Sequence, residues 1–365
     1  MKIYPYCKHH LDFSDIFAVV KTLLGGIITR GEQTQKLEQD ICAYTGAKYA
    51  VAVSSGTAGL HLATLAIGLT STDEAITTPL TFLATANAIR YCGATVKFAD
   101  IEQDTANISV EEIEKNISTK TKLLMPVHFA GQTCDMAKIK ALADKHNLFV
   151  IEDAAHALGS KYKDCMVGSC KYSDMTVFSF HPAKTITTGE GGIITTNNEQ
   201  LYKKLLALRS HGIYRTKNAF GWDFQMLELG FNYILTDFQA SLGRSQLKKI
   251  ESFKKRRREI VDFYNRNLNL PHLHEKEFSN ACWHIYPVML ENRDNFYKKT
   301  FECGFRLQVH YKPVHLHPYY QQQGYKAGDF PNAERYFAKA ISLPLYPTLK
   351  NSDLKKIANI IKSAI

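Results

Sequence analysis

From about residue 49 the chain alternates short apolar runs with longer stretches of helical spacing. The runs over 49–53, 75–77, 95–99, 122–127, 149–151, 175–178 and 192–195 read as strands. Helices are predicted over 58–67, 82–92, 110–115 and 136–146. This βαβα rhythm predicts an α/β fold with a mostly parallel central sheet covered by helices. In such sheets ligands gather beyond the carboxyl ends of the strands. A long helix after Thr236 reads as the bridge to a smaller domain. The stretch over 246–265 reads as one helix, with Ile250, Phe253, Ile260, Val261 and Tyr264 on its apolar side. Strands over 284–290 and 307–310 and helices over 333–340 and 353–365 predict a small C-terminal α+β domain. The expected division is a large domain over 1–245 and a small one over 246–365.

Length supports that division, because 365 residues are too many for one small core. A hydrophobic fraction of 45% beside 22% charged residues is ordinary for a soluble globular protein. No apolar run reaches the ~18–20 residues that span a bilayer, and residues 1–6 lack the apolar core of a signal peptide. A cytoplasmic protein with no membrane partner is expected. Eight cysteines are scattered along the chain. Cys165 and Cys170, the closest pair, match no usual zinc or thioredoxin spacing, so reduced, mostly buried thiols are expected. The net charge of +10 includes the run Lys254-Lys255-Arg256-Arg257-Arg258. On an amphipathic helix such a run reads as a solvated face rather than a nucleic-acid site, and no nucleic-acid partner is expected. The positive field still suits an anionic small substrate.

Lys184 is the residue with the most chemical meaning. It follows the apolar segment Thr176-Val177-Phe178-Ser179-Phe180 and precedes Gly189-Glu190-Gly191-Gly192. Asp153 ends an earlier apolar run. A lysine that can form a Schiff base, with an acid that keeps a pyridine nitrogen protonated, suits a pyridoxal phosphate site. Ser54-Ser55-Gly56-Thr57-Ala58-Gly59 follows a strand and opens a helix, where backbone N–H groups suit a phosphate, although a plain helix cap explains it equally well in isolation. His156 and Phe82 read as core residues when taken alone. Beside Asp153 and Lys184 they become candidates for a hydrogen bond to the cofactor and for stacking on its ring.

Together with Arg209-Ser210-His211-Gly212, Gly230-Phe231-Asn232-Tyr233, His310-Tyr311-Lys312-Pro313 and Ser342-Leu343-Pro344, these segments resemble the DegT/DnrJ/EryC1 sugar aminotransferases. Those are fold type I, pyridoxal phosphate (PLP) dependent enzymes, and the likeness runs over nearly the whole chain. It implies PLP as cofactor, carried covalently by Lys184. Asp153 would pair with the ring nitrogen, His156 would lie near the phenolic oxygen, and Phe82 would stack on the ring. Gly56, Thr57 and Ser179 would hold the phosphate. Asn232 would reach the phosphate of the neighbouring subunit in a homodimer with shared sites. His310, Tyr311 and Lys312 would lie near a nucleotide-sugar pocket, with L-glutamate as amino donor.

Segments 78–82, 179–182, 184–188 and 308–313 resemble the branch that makes UDP-4-amino-4,6-dideoxy-N-acetyl-β-L-altrosamine for pseudaminic acid. Amination at C4 of a UDP-linked 4-keto-6-deoxy-N-acetyl hexose is then expected. An aminotransferase for a dTDP- or GDP-linked keto sugar is the first alternative, and a non-catalytic PLP-binding regulator the second. Lys184 speaks against a dehydratase of the same family, in which the lysine is replaced. The family usually has an arginine two residues after the asparagine, where this chain has Ile234. His310, His315 and His317 have no acid or cysteine cluster beside them, so a polar loop lining a sugar site is expected rather than a metal site.

Overall fold

The apolar runs become the strands of one sheet. The structure, a computed structural model, describes residues 2–215 and 222–365. Seven strands among the described residues form the sheet: β1 (Tyr49–Val53), β2 (Glu74–Thr77), β3 (Thr95–Phe98), β4 (Thr121–Met125), β5 (Phe149–Asp153), β6 (Met175–Ser179) and β7 (Gly192–Thr196). Their order across the sheet is β1-β7-β6-β5-β4-β2-β3. β7 runs antiparallel to both its neighbours and the other pairs are parallel. The strands are buried almost without interruption, as a sheet covered on both faces requires.

Helix α1 (Phe13–Leu24) lies near the amino terminus, α2 (Gly56–Ala66) follows β1, and α3 (Leu83–Tyr91) follows β2. α2 lies close on the sheet because Gly59 has no side chain; a Cβ there would sit 2.8 Å from Val177 Cγ1. Among the described residues no helix is long and apolar enough to cross a membrane.

The expected helix over 246–265 is two helices, α4 (Asp237–Leu247) and α5 (Ile250–Asn267). The break is tied to α1. Gln246 Nε2 and Lys249 Nζ both donate to the buried Asp15 Oδ2, at 2.8 and 2.7 Å. Ile250, Phe253, Ile260, Val261 and Tyr264 are all buried, as the spacing implied. The basic run on α5 is not a solvated face. Arg257 is fully buried, and its Nη1 donates to the carbonyls of Trp283, His284 and Leu345. Lys254 donates to Gly159 O, and Arg258 pairs with Glu275. Only Lys255 of the five is exposed. The thiols also differ from expectation. All eight are free, but only Cys134, Cys170 and Cys282 are buried.

The C-terminal part is built on an antiparallel pair, β8 (Tyr286–Met289) and β9 (Ala340–Leu343), packed with α5 and the helix Asn351–Ala364. The expected strand over 284–290 is shorter because the His284 amide donates to Ala130 O instead. The expected strand over 307–310 is absent. Gln308 forms a single bridge to Ser342, and residues 308–311 turn into a cavity. Tyr4–Pro5 pairs with Phe305–Arg306, so the amino terminus packs with the C-terminal part. We keep a division near residue 245 as a proposal, with that first strand crossing it.

Gly131 joins the two parts at close quarters. Its φ is +95°, and a Cβ would lie 2.3 Å from Cys282 O and 3.1 Å from His156 O. Gly131→Ala is therefore expected to cost about 2 kcal/mol or more, from backbone strain alone before any clash. Urea unfolding measures this, and an unchanged midpoint would show that the loop relaxes at no cost.

Candidate active site

Asp153 ends β5, Ser179 ends β6 and α2 begins just after β1. All three therefore meet at the carboxyl edge of the parallel strands, where such sheets place their ligands. They surround a cavity of about 530 Å³. Gly56, Thr57, Phe82, Asp153 and His156 line it, as do Ser179, Lys184, His310 and Tyr311.

Alternation along β5 separates two adjacent acids. Asp153 points to the cavity, whereas Glu152 accepts from His128 Nε2, Ser173 Oγ and Thr176 Oγ1. Burial pushes the Glu152 carboxyl up, but His128 and the two hydroxyls outweigh it and the net shift is downward. Asp153 is 5% exposed. Its Oδ2 accepts from Thr85 Oγ1 at 2.7 Å and its Oδ1 from Ala155 N at 3.1 Å. Burial still wins there, and the Asp153 carboxyl is held above the ordinary range. Thr85 Oγ1 lies 2.7 Å from Thr81 Oγ1, in the turn that leads into α3. This Thr81–Thr85 support was missed in the sequence, because Thr81 lies in the turn before the helix and only the fold brings it onto Thr85.

Lys184 sits in the loop between β6 and β7. The loop is knotted by its own threonines. Thr187 Oγ1 donates to Phe180 O, Thr188 Oγ1 to Glu190 O, and Gly189 N to Thr187 Oγ1. The buried run Thr185–Thr188 thus shapes the lysine loop. Burial lowers the Lys184 amine to about 8, against the opposing pull of Asp153 and Cys7.

The start of α2 has the character of an anion site. Ser55 caps the helix, its Oγ accepting from Ala58 N at 3.0 Å. Gly56 packs on Ser179 so closely that a Cβ would stand 2.9 Å from Ser179 Cβ. Free backbone N–H groups and the helix dipole face the cavity here.

The opposite wall is aromatic and polar. Tyr311 OH lies 3.0 Å from His156 Nε2, and the Tyr311 ring is 6.0 Å from that of Phe82. Phe82 is the N-cap of α3 and is 58% exposed, so it is a cavity residue and not core. His310 Nδ1 pairs with Ser342 Oγ at 2.8 Å, and burial pushes its pKa down to about 3, helped by Lys184. His284 and Tyr6 also line the cavity and were missed in the sequence. His284 sat inside an expected strand, and Tyr6 arrives only through the pairing of the first strand with residues 305–306.

Some expected residues lie elsewhere. Asn232 is exposed, bridges Ser210 and does not line the cavity. Lys312 is exposed and also outside the lining. His315 is buried against Glu334, at 2.9 Å, rather than lining a sugar site. Ile234 borders a smaller pocket that also holds Arg30 and Arg209. Arg209 donates to Glu38 Oε1 and Ala52 O, so a guanidinium is already present beside the isoleucine.

The family model of the DegT/DnrJ/EryC1/StrS aminotransferases matches residues 11–362. The chain belongs to this family. As a sugar aminotransferase it is PLP-dependent, and its α/β fold is that of fold type I. It is 39% identical to the spore coat polysaccharide biosynthesis protein SpsC of Bacillus subtilis, covering 99% of this chain and 97% of that protein. It is 36% identical to the UDP-4-amino-4,6-dideoxy-N-acetyl-beta-L-altrosamine transaminase of Campylobacter jejuni, over 99% and 97%. Among solved structures it is similar to Helicobacter pylori PseC, an aminotransferase of pseudoaminic acid biosynthesis. There the TM-score is 0.93, with 31% identity over 100% of this chain and 99% of that one. The PLP form of the sugar aminotransferase Spr1654 of Streptococcus pneumoniae gives a TM-score of 0.93, with 29% identity over the whole of both chains.

The lowered pKa of Lys184 has a direct readout in protein stripped of cofactor. Reductive methylation followed by peptide mass spectrometry is expected to show Lys184 reacting with a midpoint near pH 8. Exposed lysines should follow about 10.4. A Lys184 that tracked the exposed lysines would contradict the buried environment described above.

Proposed function

We propose that this sugar aminotransferase moves the amino group of L-glutamate to C4 of a UDP-linked 4-keto-6-deoxy-N-acetyl hexose. The product is UDP-4-amino-4,6-dideoxy-N-acetyl-β-L-altrosamine. The observation that carries the amino-transfer reading is Lys184 sharing one cavity with Asp153 and the start of α2. The substrate choice is supported by the name of the Campylobacter jejuni relative. The similar identity to a spore coat polysaccharide protein favours, as a second reading, another nucleotide sugar, dTDP- or GDP-linked.

The residues present fit PLP. Gly56, Thr57 and Ser179 would hold its phosphate, Asp153 its ring nitrogen, Phe82 a ring face and Lys184 its carbonyl carbon. His156 would stand by the phenolic oxygen. When bound, PLP supplies an electron sink for the charge left by proton removal. Lys184 Nζ takes the proton from the α-carbon of glutamate and later returns one at C4 of the sugar. Its lowered pKa keeps a useful fraction of the amine neutral near pH 8. Asp153, fixed by Thr85 and Ala155, holds a proton on the ring nitrogen. His310 and Tyr311 face the sugar, and the exposed Lys312, next in the chain, offers a cation to an anionic group.

The test is kcat/KM for glutamate-dependent amination of three substrates. These are UDP-2-acetamido-2,6-dideoxy-β-L-arabino-4-hexulose, its D-xylo epimer at C5, and dTDP-4-keto-6-deoxyglucose, with Lys184→Ala as the blank. The first should be preferred and the blank silent. Preference for either of the others moves the protein to another pathway, and turnover by Lys184→Ala would falsify the role of the lysine.

We also propose a homodimer with shared sites, in which Asn232 serves the partner's phosphate. α1 supports this. Phe13, Ile16, Phe17, Val20, Leu23 and Leu24 are all exposed, Phe13 at 79% and Leu24 at 83%. Phe224, Met226, Leu227 and Leu229 are exposed as well. Apolar surface on this scale marks an interaction site. Light scattering at micromolar concentration should give a dimer, and Phe17→Asp with Leu24→Asp should give a monomer of reduced activity. A fully active monomeric wild type would end the proposal.

A further inference from the structure

Glutamate carries two carboxylates and a nucleotide sugar a diphosphate, yet among the described residues no arginine lines the cavity of Lys184. Two arginines meet instead beside Asn232. Arg30, Glu38, Arg209, Ser210 and Ile234 border a separate pocket of about 230 Å³. Arg209 Nη1 is engaged there, donating to Glu38 Oε1 at 2.7 Å and to Ala52 O at 2.8 Å. Its buried Nε has no partner. Glu38 accepts from Ala52 N as well, at 2.9 Å. The one acid among the described lining residues is therefore held by the inner arginine. Arg30 is left over. It is exposed and forms no ion pair among the described residues; Nη2 makes one long contact, to Ser210 Oγ at 3.4 Å.

The place of Arg30 is built into the fold. Its φ is +56°, in the left-handed region that residues with a Cβ avoid. The loop is held in that shape from both sides. Thr29 bridges Thr236, Gly31 N donates to Asp237 Oδ2 at 2.6 Å, and Ile28 O accepts from Asp237 N at 2.9 Å. Ser210, which meets the Arg30 guanidinium, also bridges Asn232. Arg30 and Asn232 are thus set side by side by one residue.

The surroundings of Arg30 are apolar. The exposed residues of α1 continue through Ile27, 63% exposed, and Ile28, 46% exposed, to Arg30. A cation at the end of such a surface is desolvated when a second copy covers it, and it then needs an anion from that copy. A guanidinium meets carboxylate or phosphate oxygens with two parallel N–H bonds.

We propose that Arg30 is a substrate-binding residue of the neighbouring subunit's cavity. It crosses beside Asn232, and its guanidinium takes a substrate oxyanion, either a carboxylate of glutamate or the diphosphate of the nucleotide sugar. The inference rests on the proposed function and its shared-site dimer. Arg209, behind it, keeps Glu38 occupied and leaves Arg30 available to the substrate.

Calorimetry on the PLP-loaded protein tests this with two probes that do not react, glutarate for the carboxylates and UDP for the diphosphate. Arg30→Gly should weaken one or both about ten- to hundredfold, the usual effect of removing a hydrogen bond to a charged group. The probe that loses affinity identifies the group. Arg30→Lys, which keeps the charge without the fork, should fall between. Glycine enters the left-handed region freely and asparagine tolerates it. Arg30→Gly and Arg30→Asn should therefore unfold in urea at or above the wild-type midpoint. Unchanged affinity for both probes overturns the proposal, and a lowered midpoint would then mark Arg30 as structural.

Heterodimers of Lys184→Ala and Arg30→Gly subunits show which cavity Arg30 serves. If it serves the neighbour, one cavity of each heterodimer keeps both residues, and KM for the affected substrate should return to the wild-type value. A KM that stays at the Arg30→Gly value overturns the placement. A wild type without glutamate turnover would sink the proposed function and leave calorimetry to judge Arg30. An active enzyme whose Arg30→Gly variant binds both probes normally would sink this inference alone.

Discussion

The site depends on holding an acid and an amine where water is scarce. Desolvation pushes Asp153 and Lys184 toward their neutral forms, one up and the other down. Each opposes the other's shift, since a nearby opposite charge favours ionisation. Asp153 also draws on Thr85 and Ala155, whose donated bonds are to its charged form. These requirements explain much of the local architecture. Asp153 must end a central strand to be buried yet point outward, and α3 must start where Thr85 can reach it, with Thr81 behind Thr85. The lysine loop must be stiff, and Thr187 and Thr188 stiffen it from within.

Much of this was legible in the chain because short-range patterns determine it. Strands buried on both faces leave apolar runs, and the expected runs over 49–53 and 175–178 match β1 and β6 within a residue. Lys184, Asp153, Gly56 and Thr57 carry local signatures of turn, strand end and helix start. What escaped is what long-range contacts decide. Tyr6 lies far from the cavity in sequence and reaches it only because Tyr4–Pro5 pairs with Phe305–Arg306. His284 looked like part of a strand until Ala130 claimed its amide. The split between α4 and α5 needed Asp15, a buried acid on a distant helix, to tie both ends.

Arg257 shows the same limit in its sharpest form. Five consecutive basic residues read as a surface feature, because a buried guanidinium is expensive without a partner. Here the partners are carbonyl oxygens. Nη1 alone gathers three, from Trp283, His284 and Leu345. Leu345 N in turn donates to Tyr6 O. One cation therefore fastens the segments that bring both His284 and Tyr6 to the cavity wall. Composition could report the charge, but only tertiary structure could say that it staples the wall together.

The same wall explains why the covalent chemistry and the choice of substrate separate so cleanly. Glutamate brings two carboxylates and a nucleotide sugar brings a diphosphate, and such groups are best met by arginine or lysine. Among the described residues lining the cavity there is no arginine, and its one lysine, Lys184, is the residue proposed to do the chemistry. His156, His284 and His310 are held neutral. Such a wall offers hydrogen bonds to hydroxyl and carbonyl groups and little charge to an anion. In the proposed function, recognition of the anionic ends is therefore assigned to groups outside this lining, such as the exposed Lys312 and residues of a second copy. That is the physical argument behind the proposed shared-site dimer. The proposed proton transfer needs only residues that this chain brings to the cavity, whereas the exposed apolar α1 and exposed Asn232 lie outside it, where another subunit could meet them.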